Sequence, residues 1–192
     1  EMVRVVVSVD PSGAGDTDNA DNDAIGIGVA GLGIDGNAYI FEDLTLKAGP
    51  GKWGKVVASA YERHEADRVI GESNFGGAMV EFVVKAANAN IAYKSVTASR
   101  GKTVRAEPVS ALHETGKIKL VGRFDDLEDE LMCFTTTGYT GDKSPNRADW
   151  FVWAITELLP VYGSYETEED DKPKSRDYGF GDTENDESWK SM

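Results

Sequence analysis

Hydrophobic residues form short continuous runs in the first part of the chain and adopt helical spacing later. Residues 3–9 are a β-branched run without polar alternation, which predicts a strand in the middle of a sheet. Two further runs at 24–30 and 38–42 also predict strands. Asp35 and Gly36 form a typical hairpin turn before the third run, so the three strands are predicted to form an antiparallel meander.

Helices and strands alternate from Trp53 to Pro160. The predicted order is a helix at 53–66, a strand at 68–71, a helix at 78–89, a strand at 91–97, a helix at 103–115, a strand at 118–121, a helix at 126–134, a polar loop at 135–145 and a helix at 147–159. Three antiparallel strands followed by alternating helices and strands predict an α/β fold. Its mixed sheet would have further, parallel strands and would carry helices on both faces.

Acidic side chains stand at the ends of three predicted elements that are far apart in the sequence. Asp10 follows the first strand, Glu72 follows the strand at 68–71, and Asp149 opens the last helix. Carboxylate oxygens are preferred ligands of Mg²⁺ and Mn²⁺, and two such ions about 4 Å apart can hold the attacking and leaving oxygens of a phosphodiester. The pattern predicts a metal-dependent nuclease in which Asp10 bridges two ions, Glu72 helps to hold one and Asp149 holds the other.

Each of these acids also has a plain structural interpretation. Asp10 is an ordinary turn residue at a strand end, Glu72 is a solvated edge carboxylate, and Asp149 complements the dipole of its helix. Two further acids are candidate metal ligands. Asp142 could reach the third ligand position from its loop, and Asp23 could approach a metal from the acidic loop.

The net charge of −14 argues against a nucleic-acid partner until its distribution is considered. The loop at 10–23 has five aspartates and no base, whereas residues 94–123 have seven bases and two acids. An acidic pole beside a basic segment suits a metal-using enzyme that acts on a polyanion, although a basic run is more often a solvated face. The candidate DNA contacts in this segment are Arg100, Lys102, Arg105, Lys117 and Lys119.

Composition divides the chain into a globular domain at 1–163 and an acidic tail at 164–192. The tail has ten acids and few aliphatic residues, so it is expected to remain flexible. A single cysteine, Cys133, excludes an intrachain disulfide and a thiolate zinc site. No signal peptide or membrane span is predicted, which favours a soluble intracellular protein. The start of the chain at a strand also suggests a fragment of a larger protein.

Six segments within residues 3–160 carry a family resemblance. They are Val9-Asp10-Pro11-Ser12-Gly13, the helix of Trp53, Glu72-Ser73-Asn74-Phe75-Gly76-Gly77, Arg100-Gly101-Lys102 with Arg105-Ala106-Glu107-Pro108, Leu127-Glu128-Asp129-Glu130, and Ser144-Pro145-Asn146-Arg147-Ala148-Asp149 continuing to Trp153-Ala154. Their order resembles the C-terminal nuclease domain of the large terminase subunit of tailed bacteriophages. The resemblance implies a ribonuclease H-like fold and the cutting of concatemeric viral DNA during genome packaging. In that family the acids that match Asp10, Glu72 and Asp149 bind the metals.

The same resemblance implies partners and a location. Double-stranded DNA would be the substrate, the portal or procapsid and the small terminase subunit would be partners, and the host cytoplasm would be the site of action. Two features depart from the family. Asn146 stands where a second acid is often found, and no Gly-x-x-x-x-Gly-Lys-Ser/Thr loop is present, so the packaging ATPase is not part of this chain.

Three other functions can be weighed on the sequence. A Holliday-junction or RNA–DNA hybrid nuclease would share the fold and differ in substrate. A nucleotide-binding domain of the actin or sugar-kinase kind would need a duplicated second half, and 192 residues without an internal repeat leave no room for it. A portal-docking module would have the fold without catalysis.

Overall fold

The computed structural model describes residues 1–11, 24–73, 77–98, 101–135 and 137–160. Its strands are β1 Met2–Asp10, β2 Gly26–Gly33, β3 Ala38–Asp43, β4 Arg68–Glu72, β5 Tyr93–Val96, β6 Ile118–Leu120, β7 Phe134–Thr135 and β8 Gly138–Tyr139. Its helices are α1 Pro50–Arg63, α2 Gly77–Ala87, α3 Lys102–Glu114, α4 Asp125–Met132 and α5 Asn146–Leu158. The predicted tail at 164–192 lies outside the described residues.

Six strands form one mixed sheet in the order β5-β4-β1-β2-β3-β6. β1, β2 and β3 are the antiparallel meander that the hydrophobic runs predicted. β4 and β5 extend the sheet in parallel beside β1, and β6 pairs in parallel with β3 at the opposite edge. Val9 of β1 lies opposite Gly71 of β4, so Asp10 and Glu72 follow side by side at the carboxyl ends of neighbouring strands.

Helices cover both faces of the sheet, as predicted. α1 and α2 pack on one face, where Val7, Val9 and Trp53 belong to one buried cluster. α3, α4 and α5 cover the other face, where Leu127 and Phe151 belong to a second cluster. The two clusters bury both sides of β1, which explains why its sequence is continuously apolar.

Helix α5 lies close to the sheet, mainly against β1 and β2. A Cβ atom added to Gly28 would stand 2.3 Å from ring atoms of Trp150, so only a glycine at this position allows the indole to rest on the strand. All but one of the side chains from Asn146 to Leu158 are buried, Arg147 being the exception. This close packing sets the distance between α5 and the strands that it covers.

Some local predictions differ from the structure, among them the helix predicted at 126–134, which ends at Met132. The polar loop expected at 135–145 begins with a small hairpin, in which β7 and β8 pair in antiparallel fashion. Helix α1 begins at Pro50, three residues before the predicted start, because proline at the first helical position costs no intrahelical hydrogen bond. Among the described residues no helix has the length and apolar content needed to cross a bilayer.

Candidate functional site

The carboxylates of Asp10, Glu72 and Asp149 are brought to one end of the sheet by three different elements. Asp10 is the last residue of β1 and 4% exposed, Glu72 is the last residue of β4, and Asp149 lies in the first turn of α5 and is 3% exposed. Val7 and Val9 face α1 and α2, so strand alternation directs Asp10 to the α5 side. The three candidate metal ligands therefore share one face of the sheet.

Glycine at position 26 allows the first turn of α5 to reach the end of β1. Gly26 is the ladder partner of Asp10. A Cβ atom added to Gly26 would lie 2.2 Å from the carbonyl oxygen of Asn146 and 3.2 Å from Cβ of Asp10. The helix turn that carries Asp149 is thus in direct contact with the β1–β2 ladder beside Asp10.

Glu72 is joined to α5 by a hydrogen bond. Nε1 of Trp153 donates to Oε2 of Glu72 at 2.9 Å. Trp153 follows Asp149 by four residues, so both side chains lie on the same face of the helix. Trp153 was not among the predicted site residues, although its spacing of four residues from Asp149 places both side chains on one helix face. Its indole also packs with Ile70 and Val96 in the core.

Two cations from the first turn of α3 face these carboxylates. Nζ of Lys102 forms an ion pair with Oδ2 of Asp149. Arg105 places Nη1 3.7 Å from Oε2 of Glu72 and Nη2 4.0 Å from Oδ1 of Asp149. The Arg105 guanidinium also lies 4.5 Å from the ring centroid of Trp153, a cation–π arrangement that holds it in place. Both residues were predicted DNA contacts, and the structure places them beside the predicted metal ligands.

Burial of negative charge dominates the electrostatics of this site. Burial raises the pKa of the Asp149 carboxyl, Lys102 and Arg105 counter this effect, and the charge of Glu72 adds to it. An ionised Asp149 therefore carries a desolvation cost that its two cationic neighbours do not fully offset. Additional positive charge close to the carboxylates would offset more of this desolvation cost.

The donor set fits a hard divalent cation by its chemistry, since it consists of buried or half-buried carboxylates that need a positive partner. In the described part of the chain, no three His, Cys, Asp or Glu side chains stand close enough together to hold one ion as they lie. Lys102 and Arg105 supply the positive charge instead. Entry of an ion would require Asp149 and Glu72 to exchange these partners for the metal.

The additional candidate ligands have different positions. Asp142 is exposed in the loop before α5. Burial raises the pKa of the Tyr139 hydroxyl on β8, and the charges of Glu130, Asp149 and Asp142 raise it further, so Asp142 flanks the same region. Asp23 lies outside the described residues. Asn146, which stands where the family often has a second acid, is buried in the first turn of α5.

The basic residues of the segment at 94–123 lie in different parts of the structure. Lys117 and Lys119 are exposed at β6, and the carbonyl of Lys117 accepts from the N–H of Ala38 at the start of β3. That position is on the edge strand and at the end of the sheet opposite the carboxylates. Lys94 instead pairs with Glu157 of α5. Arg100, the remaining predicted contact, lies outside the described residues.

Comparison with known proteins identifies the family and the fold. The family model described as "Terminase RNaseH-like domain" matches residues 7–159. Comparison with curated protein sequences gave no match. The large terminase nuclease of thermophilic phage G20c is similar in structure, with a TM-score of 0.58 and 15% identity over 80% of this chain and 82% of that chain. The nuclease domain of the large terminase subunit gp2 of bacterial virus Sf6 has a TM-score of 0.59 and 14% identity over 80% of this chain and 88% of that chain.

Identities this low show the shared fold, and the fold is ribonuclease H-like, with the mixed sheet and two helical layers described above. The family match begins within β1 and extends to the end of α5, so it includes Asp10, Glu72 and Asp149. The chain belongs to the terminase RNase H-like domain family.

Proposed function

We propose that this domain cuts concatemeric double-stranded DNA with two divalent ions, Mg²⁺ or Mn²⁺, held by Asp10, Glu72 and Asp149. One observation carries the proposal: buried or half-buried carboxylates from β1, β4 and α5 converge at one end of the sheet, opposite Lys102 and Arg105. When bound, the ions activate a water molecule for attack on phosphorus and stabilise the leaving oxygen.

The positions of the three acids suggest their roles. β1, which ends in Asp10, lies between β4, which ends in Glu72, and β2, whose Gly26 contacts the first turn of α5. A central carboxylate is the natural bridge between two ions. Asp10 would therefore hold both ions, Glu72 would hold one of them together with Asp10, and Asp149 would hold the other.

Lys102 and Arg105 are proposed to bind the DNA backbone. The Lys102 side chain is 43% exposed and is held by Asp149 through its ammonium group. A metal at Asp149 would release that ammonium group for a phosphate oxygen. The Arg105 side chain is 12% exposed and stacked on Trp153, so it is better suited to hold a phosphate that enters the site.

Structures of similar terminase nuclease domains support the choice of ions. The G20c nuclease was solved with bound magnesium and has a TM-score of 0.56 with 16% identity over 81% of this chain and 86% of that chain. A mutant Sf6 nuclease domain was solved with manganese. We further propose that the portal or procapsid and the small terminase subunit are partners in the host cytoplasm, as expected for DNA packaging.

Plasmid cleavage tests the proposal. Asp10→Ala should abolish nicking of supercoiled DNA in Mn²⁺, and its circular dichroism spectrum should match the wild-type spectrum because the substitution relieves repulsion among clustered acids. Glu114→Gln, an exposed acid at the end of α3, is the matched control and should cut normally. Near-normal nicking by Asp10→Ala would contradict the assigned role. Faster cleavage of a four-way junction or an RNA–DNA hybrid than of duplex DNA would favour the alternative nucleases.

A further inference from the structure

The helix that carries Asp149 begins without a capping side chain of its own. Its N-cap residue is Pro145, which offers no side-chain acceptor. The first N–H groups of a helix have no intrahelical partner and must be satisfied in another way when they are buried. The N–H of Asn146 donates to the carbonyl of Ser144 at 2.9 Å, and the first intrahelical bond runs from the N–H of Asp149 to the carbonyl of Pro145 at 2.8 Å. The two N–H groups between them need an acceptor from elsewhere in the fold.

Glu130 of α4 provides that acceptor. Its Oε2 atom accepts hydrogen bonds from the backbone N–H groups of Arg147 at 2.7 Å and Ala148 at 3.1 Å. Its Oε1 atom accepts from Nη1 of Arg147 at 3.2 Å. The Glu130 side chain is 16% exposed, so these charge-assisted bonds are shielded from water. A residue sixteen positions before α5 thus performs the capping that Pro145 cannot.

Arg147 extends the same contact to the sheet. Its Nε donates to Oδ2 of Asp43, at the end of β3, at 2.7 Å. Its Nη2 donates to Oδ2 of Asp126 on α4 at 2.9 Å. The first turn of α5 is consequently fixed between α4 and β3, with Gly26 of β2 directly beneath it.

We propose that Glu130 is a positioning residue for Asp149 in the nuclease site. Asp149 directly follows the two residues whose N–H groups Glu130 caps, so a frayed first turn would move its carboxylate away from Asp10 and Glu72. This inference rests on the proposed function, because it presupposes that Asp149, in the first turn of α5, is a metal ligand. Glu130 need not contact metal or DNA, because its effect passes through the backbone of α5.

Mn²⁺ titration of three variants tests the inference. Glu130→Ala removes the acceptor and should raise the Mn²⁺ dissociation constant about tenfold, as is usual when a supporting contact of a metal ligand is lost. Glu130→Gln keeps an oxygen that can accept from the same N–H groups and should stay within about threefold of wild type. Asp129→Ala changes the charge of α4 by the same amount at an exposed neighbouring position and should bind Mn²⁺ like wild type.

Amide hydrogen exchange without metal provides an independent measurement. The N–H groups of Arg147 and Ala148 should exchange faster in Glu130→Ala than in wild type, and Glu130→Gln should largely restore their protection. Wild-type Mn²⁺ affinity in Glu130→Ala, unchanged exchange at these two residues, or equal losses in the Gln and Ala variants would overturn the positioning role. A wild-type protein that binds no Mn²⁺ would overturn the proposed function instead, and exchange would still decide whether Glu130 caps α5.

Discussion

The indole of Trp153 donates a hydrogen bond to the carboxylate of Glu72, with 2.9 Å between Nε1 and Oε2. This bond joins the helix that carries Asp149 to the strand that ends in Glu72. Trp153 is 2% exposed and also supports the Arg105 guanidinium on its ring. One core side chain therefore orients a candidate metal ligand and a candidate phosphate contact together.

Trp153→Phe should weaken both the fold and the site. The substitution keeps most of the aromatic volume but removes a hydrogen bond to a charged group, so we expect the free energy of unfolding to fall by about 2 to 3 kcal/mol. Mn²⁺ affinity and plasmid nicking should also fall, because Glu72 loses its orientation. Urea unfolding and Mn²⁺ titration measure the two effects.

Trp150→Phe is the matched control for this substitution. Trp150 is equally buried on the same helix, and its Nε1 has no hydrogen-bond partner among the described residues. The loss of packing should cost about 1 to 2 kcal/mol, while Mn²⁺ affinity should stay close to that of wild type. Equal losses of Mn²⁺ affinity in both variants would refute a specific role for the Trp153–Glu72 bond.

Gly26→Ala should displace the first turn of α5. The added Cβ atom would lie 2.2 Å from the backbone oxygen of Asn146, and backbone cannot move aside as a flexible side chain can. We expect a loss of about 2 to 3 kcal/mol in unfolding free energy, together with reduced nicking. Gly51→Ala is the control, because nothing lies within 4 Å of its added Cβ in helix α1. That variant should be as stable as wild type or more stable by about 0.5 kcal/mol, and a stable, fully active Gly26→Ala would disprove the close contact.

Asp149→Asn should stabilise the protein near neutral pH. Burial raises the pKa of Asp149 above its unfolded value, so the folded state binds this proton more tightly than the unfolded state. The ionised group lowers stability above the folded pKa, and this cost disappears as the pH falls below the unfolded pKa. The stability advantage of Asp149→Asn should therefore be largest near about pH 7 and shrink towards about pH 4. Urea unfolding of both proteins across this range checks the sign, and an advantage that grows in acid would contradict it.

Lys102→Gln should reduce the salt dependence of DNA binding. Each lost phosphate contact lowers the slope of log affinity against log salt by about one. Lys119→Gln removes the same charge from an exposed position at the far edge of the sheet and should leave the slope nearly unchanged if DNA lies over the carboxylates. Fluorescence anisotropy with duplex DNA in Ca²⁺ measures both slopes. A larger change for Lys119→Gln would place the DNA surface along β6.

Local patterns in the sequence determined the order of the elements and the positions of the acids. Apolar runs specified β1, β2 and β3, because a strand buried on both faces must be continuously apolar. The same runs placed Asp10 at a strand end, and the strand at 68–71 placed Glu72 likewise. The spacing of apolar residues identified α5 and located Asp149 in its first turn. These features depend on residues that are close in sequence, so they could be read directly.

Long-range packing decided the remaining features. The β7–β8 hairpin has two-residue strands in a polar stretch, which is too short for a periodic signal. The separation of Lys117 from Lys102 depends on the pairing of β6 with β3, which no local pattern specifies. The capping of α5 by Glu130 and the Lys102–Asp149 ion pair join residues 17 or more positions apart. The sequence by itself thus determined which side chains could form a nuclease site, and tertiary packing decided which of them meet, because contacts between distant segments depend on the complete fold.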